Sequence, residues 1–216
     1  MRRVNGCNGT SRHNRLIFLF LGDVMKGSVV AGVMLAAASA ANAGGAVDIS
    51  VADEALRLAY DATATRTGMH VNLSGLHHTH EGNIVGAGLH AVDVRNRNTN
   101  LFIGVGAKLF AFDTGNFEDV NGDPFSGSAL GLGGFFRYSF RVQPDVSVAA
   151  YAYYAPPVTS FGDADNFINT DWRLQYNLIP AARIYGGYRY NSINLEGVRH
   201  DYRLGEGWHV GLTMDF

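Results

Sequence analysis

The chain is poor in cysteine, in charge and in long apolar runs. Its one cysteine, Cys7, falls in a segment read below as removed, so neither a disulfide framework nor thiol chemistry can be built on it. Charged residues make up only 17% of the 216, low for a chain whose whole surface meets water. The formal charge is −2 and no basic run stands after residue 43, which argues against nucleic acid as a partner. Nor does any apolar run beyond residue 43 approach the roughly 20 residues that a membrane-spanning helix needs. What the chain holds in excess is glycine, 27 residues, interleaved with 10 Tyr, 13 Phe and 2 Trp. That mixture suits tightly curved strands with interfacial rings better than it suits helices.

The N-terminus has the order of an export signal. Met25-Lys26 is followed by an apolar stretch from Val29 to Ala38 and by the small residues Ser39-Ala40-Ala41-Asn42-Ala43. Cleavage is expected after Ala43, with Ala40 as the alternative. Residues 1–24 read either as an extension ahead of a start at Met25 or as a longer signal n-region. The expected organisation is therefore an extension plus Sec signal over 1–43, with the signal core at 25–43, and one domain over 44–216.

Along that domain the side chains alternate with a period of two, the mark of a strand. The clearest segment is 166–177. Ile168, Thr170, Trp172, Leu174 and Tyr176 share one face; Asn169, Asp171, Arg173, Gln175 and Asn177 share the other. At roughly 3.3 Å per residue it spans about 40 Å, suited to a tilted membrane strand. Segments 67–78, 100–112, 128–140, 183–191 and 208–216 repeat the pattern, and 54–61, 83–94 and 146–154 show it more weakly. Parity adds a short first strand at 47–50. The expected fold is all-β: a transmembrane antiparallel up-and-down β-barrel of ten strands, or eight if the region 46–61 is irregular.

In such a barrel the uncharged row faces lipid and the ionic row faces inward. Lys108, Arg137, Asp171, Arg173, Arg183, Arg189 and Asp215 are the expected lumen-lining residues, joined by Arg57. The bases pair with the acids, because an unpaired buried charge costs several kcal/mol. The aromatic residues Tyr138, Phe140, Tyr151, Tyr153, Tyr154, Trp172, Tyr176, Tyr188, Tyr190 and Trp208 are read as wall and rim residues. Connections 94–99, 141–145 and 177–181 are short, while 114–126, 155–165 and 196–206 are long. This alternation places short turns on the periplasmic side and long loops outside.

Three sets of residues could carry chemistry. His77, His78, His80 and Glu81 crowd one strand tip in a composition able to bind Zn²⁺ or Cu²⁺, though adjacent strand residues point to opposite faces. The acids Glu118, Asp119 and Asp123, and separately Asp163 and Asp165, sit in long loops without EF-hand spacing. His90, His200 and His209 are candidate bases, but no Gly-x-Ser-x-Gly or His-Glu-x-x-His motif accompanies them. Hydrophilic tips, ordinary loops and polar strand residues are the preferred readings. No metal, cofactor or catalytic residue is assigned.

The chain resembles the YfaZ family of outer-membrane proteins over residues 44–216. The matching pieces include Gly104-Val105-Gly106-Ala107-Lys108-Leu109, Gly187-Tyr188-Arg189 and the close at Gly207-Trp208-His209-Val210-Gly211-Leu212. The most specific runs from Tyr153-Tyr154-Ala155-Pro156-Pro157 through Ser160-Phe161-Gly162-Asp163-Ala164-Asp165. The resemblance implies an outer-membrane, porin-like barrel of a Gram-negative envelope. Its partners would be membrane lipid, lipopolysaccharide and the assembly machinery, which would read Phe216 as a terminal aromatic signal. The expected role is a non-enzymatic one, structural or surface-interacting, or a narrow passive channel. An anion-preferring diffusion channel and a rim-site hydrolase or acyltransferase are the alternatives. The oligomeric state stays open.

Overall fold

A computed structural model describes residues 45–64, 67–93, 100–118, 124–195 and 201–216. The expected signal segment, the turn at 94–99, Asp119, Asp123 and His200 all lie outside these residues. The described strands, in chain order, begin with β1 (Gly45–Ala52), β2 (Ala55–Ala64), β3 (Met69–His78) and β4 (Gly82–Val92). They continue with β5 (Leu101–Glu118), β6 (Pro124–Ser139), β7 (Val146–Ala155), β8 (Ser160–Gly162) and β9 (Ala164–Ile179). The chain closes with β10 (Ala182–Leu195), β11 (Tyr202–Arg203) and β12 (Gly207–Asp215).

Ten of these strands form a closed antiparallel barrel. Each pairs with its predecessor, and β12 pairs with β1 from Ala46↔Asp215 to Ala52↔His209. The seam is completed by a reciprocal backbone pair: the N–H of Gly45 donates to Phe216 O, and that of Phe216 to Gly45 O, each at 2.9 Å. Closure satisfies the ladder groups that an open edge would leave bare in lipid. The two short strands are accessory, β8 lying on β6 and β11 on β10.

Alternation assigns the faces. Val105, Leu132, Leu174 and Val210 stand outward and are 63%, 59%, 59% and 60% exposed. Their inward neighbours include Lys108 at 5%, Arg173 at 5% and Arg189 at 3%. Apolar groups on the outer wall and ionic ones within are what a bilayer demands of a spanning barrel. Aromatic residues edge this wall at both ends. Tyr138 meets Phe140 edge-on at 5.7 Å near the end that carries the termini. Tyr188 meets Trp208 at 5.4 Å toward the opposite end.

Two expectations are corrected. The span 114–126 is not a loop for most of its length, because β5 and β6 continue as a hairpin to Glu118↔Pro124. At 18 residues β5 is roughly 60 Å long, well beyond the hydrocarbon layer. Beyond the membrane neither face needs to be uniformly apolar, so the period of two fades although the strand does not. Tight turns also occur at the end opposite the termini, at 53–54 and 79–81, so short and long connections do not divide cleanly between the two ends. Of the aromatic residues read as wall and rim, Tyr151 and Tyr153 point inward.

Candidate functional site in the barrel interior

The interior has three levels, two filled by side chains and one open. At mid-height stands an ionic network centred on two carboxylates from strands far apart in sequence. Asp48, on β1 between the outward Val47 and Ile49, accepts four hydrogen bonds. The donors are Arg57 Nη1 at 2.7 Å, Arg173 Nη1 at 3.0 Å, Tyr185 Oη at 2.9 Å and Thr213 Oγ1 at 2.8 Å. Asp171 accepts a two-pronged contact from Arg173, Nε to Oδ1 at 3.1 Å and Nη2 to Oδ2 at 2.7 Å. Arg189 Nε lies 3.7 Å from Asp171, and Arg189 Nη2 donates to Ser50 Oγ at 3.0 Å. The Arg173 guanidinium is held between the rings of Tyr151 and Tyr185, at 4.9 and 4.4 Å from their centroids. Charge, geometry and stacking all fix it, as a planar guanidinium allows.

Toward the end opposite the termini the filling turns apolar. Phe110, Phe112, Phe167, Ile193 and Leu204 are almost fully buried and form one cluster with Leu76, Ile84 and Tyr153. Phe110 meets Phe167 at 4.7 Å between ring centroids. Lys108 lies beneath, its Nζ 5.3 Å from the Phe110 ring and 5.7 Å from that of Tyr153. Room for its stem comes from Gly86, where a Cβ would fall 2.5 Å from Lys108 Cε. A void of about 30 Å³ between network and cluster has space for little more than a water molecule.

The segment 201–206 folds over this cluster. Leu204 enters it, held by Asn191 Nδ2 donating to Leu204 O at 2.8 Å. Gly205 N–H donates to Glu81 Oε2 at 2.5 Å, and Tyr202 Oη donates to Glu81 O at 2.7 Å with Thr114 O at 3.2 Å. Burial first, then the nearby Glu81 charge, pushes the Tyr202 phenol up to about 12. Because the folded state favours the neutral phenol, the latch is complete below pH 10 and weakens as pH rises through about 12. Tyr202→Phe is expected to raise the rate of trypsin cleavage after Arg203 about fivefold, the equivalent of one lost hydrogen bond of ~1 kcal/mol. An unchanged rate would show that the hydroxyl does not hold the segment.

Toward the termini the interior opens into a cavity of about 310 Å³. Its walls include Phe102, Phe135 and Tyr151, with Arg137, Arg183 and Asp215 among the polar groups. Arg183 Nη2 donates to Asp215 Oδ1 at 2.7 Å. Asp61 accepts from Asn72 Nδ2 at 2.8 Å and lies 3.0 Å from His70 Nε2. Arg137 sits over Phe102, 5.5 Å from the ring centroid, and among the described residues no carboxylate is within ion-pair distance of it.

The remaining candidates separate. His77 Nδ1 pairs with Asn83 Oδ1 at 2.6 Å, His80 with Glu54 at 2.8 Å, and His78 lies 3.6 Å from Glu81. Among the described residues no three metal-ligating side chains converge. Asp163 caps a backbone N–H, that of Ser126, at 2.9 Å. His90 Nε2 contacts Tyr153 Oη at 2.8 Å, and His209 Nε2 lies 3.2 Å from Asp171 Oδ1, outside good hydrogen-bond alignment. Both are buried. Ser50 Oγ accepts from Arg189, and among the described residues His209 has no hydrogen bond to a serine, so no Ser-His-Asp set forms.

The sequence reading passed over Asp48, the acid with the most donors, and the aromatic pair Tyr151 and Tyr185 around Arg173. Asp48 had a signal, a lone acid on the inward row of Val47-Asp48-Ile49-Ser50-Val51. Its partner stands 125 residues away in sequence, and spacing cannot reveal that.

A family model described as "YfaZ precursor" matches residues 25–216. No curated protein matches the chain. Among solved structures, a "KdgM porin" and a "KdgM porin in complex with disordered oligogalacturonate" are similar. Each is 13% identical with a TM-score of 0.39, over 80% of this chain and 99% of the other.

Proposed function

Because this chain belongs to the YfaZ family and is an outer-membrane β-barrel, we propose that it works as a closed barrel, a structural and surface-presenting element of the envelope and not an open diffusion channel. One observation carries this reading: two successive layers cross the interior. The Asp48–Arg173–Asp171 network lies at mid-height, and the Phe110–Phe167–Leu204 cluster lies between it and the far mouth. A ten-stranded barrel is little wider than the eight-stranded kind that side chains can just fill, and at these two levels they do fill it.

The same contacts speak against a general preference for anions. Of the five arginines expected on the inner rows, Arg57, Arg173, Arg183 and Arg189 each have an acid partner. Lipid and lipopolysaccharide are the partners of the outer wall and of the aromatic edges. Phe216, hydrogen-bonded into the seam beside Gly45, is the residue offered to the assembly machinery.

Planar-bilayer recording of the refolded protein tests the proposal. The expected result is no stepwise conductance at either polarity. Resolved steps with a reproducible unitary value would overturn it and return the porin-like alternative.

A further inference from the structure

We propose that the cavity at the end carrying the termini is a binding site for a small organic anion with a flat apolar body, such as an aromatic carboxylate. Its volume of about 310 Å³ lies at the lower end of the range of small-molecule sites. Gly45, Ala46 and Asp215, at the ends of β1 and β12, line it, so its mouth opens on the side from which the chain enters and leaves the barrel.

The carboxylates around the cavity already have partners of their own. Asp48 is met by Arg57 and Arg173, Asp215 by Arg183, and Asp61 is held by the Asn72 amide and the His70 ring. Arg137 is the cation that no carboxylate among the described residues meets, touching only the face of Phe102 among these groups. A guanidinium in so enclosed a place favours an anion that can take two of its N–H donors. The apolar half of the site is equally defined. Phe135 packs against Phe102 at 5.5 Å and Tyr151 at 5.8 Å between ring centroids. Its ring lies on Gly104, where a Cβ would come within 2.7 Å of it. One cation beside a wall of rings selects one negative charge on a planar, apolar body. The inference holds whether or not ions cross the barrel, because the cavity lies on the near side of the ionic network.

The test is calorimetric titration of 2-naphthoate into the full barrel in lipid nanodiscs, with the heat of empty nanodiscs subtracted. Saturable one-to-one binding is expected, with 2-naphthamide, the neutral analogue, bound at least tenfold more weakly. Arg137→Gln should lose tenfold or more for the acid and leave the amide unchanged. Arg203→Gln removes an exposed cation at the opposite end and should change nothing. Heat-modifiable migration on gels checks that each variant is folded. The comparison of acid with amide on the unaltered protein decides the matter even if Arg137→Gln fails to fold. No saturable heat, equal affinity for the two probes, or an unchanged Arg137→Gln would each overturn the assignment.

Discussion

Arg173→Ala should destabilise the barrel by about 3–5 kcal/mol, because it leaves two buried carboxylates short of their shared partner. Asp171 would lose both of its hydrogen bonds from Arg173, and Asp48 one of four. Both acids are buried, Asp171 at 4% and Asp48 at 2% exposed. Arg173→Lys should recover only part of the loss, because an ammonium cannot span both acids or stack between Tyr151 and Tyr185. Equilibrium urea unfolding in lipid vesicles measures the difference. A cost below about 1 kcal/mol for Arg173→Ala would mean that the acids find other partners or that the network is wet.

Phe110→Ala should cost a similar amount, about 3–5 kcal/mol, by opening a hole in a cluster that cannot collapse around it. Its ring faces Phe167 on one side and Tyr153 on another, and the strands behind them are tied into a closed sheet. Conductance should stay absent in this variant, because the ionic layer still crosses the lumen beneath. Paired measurements of stability and conductance therefore separate the two layers. A stable, conducting Phe110→Ala protein would show that the apolar cluster alone seals the barrel.

The strands were legible in the sequence because a bilayer imposes a strict rule. One row must satisfy lipid and the other must satisfy itself, so Trp172 and Leu174 alternate with Asp171 and Arg173 through the span of β9. Closure by β12 on β1 was also accessible, since parity demanded a strand near residue 47. The apolar plug was not. Phe110, Phe112 and Phe167 are at home both in lipid and in a dry interior, so their chemistry does not declare a side; only their register beside Lys108 and Asn169 does. Where β5 and β6 leave the membrane, the rule lapses, and an extended hairpin looks like a loop. The docking of 201–206 depends on a backbone carbonyl at Glu81 and on Gly205, features without a sequence pattern. Arg137 was legible as an inward base, but its lack of an acid partner among the described residues was not, because pairing is settled across the barrel and not along the chain.

The arrangement of faces can be tested through the indoles. The chain has 2 Trp, and the Trp208→Phe protein keeps Trp172 alone. That residue stands on the outer row at 55% exposure, back to back with the buried Asp171 and Arg173. In vesicles whose acyl chains carry bromine, its fluorescence should fall to a small fraction of that in unbrominated lipid. Fluorescence indifferent to bromine would place Trp172 inside the barrel and the charges on its wall, and would contradict the account.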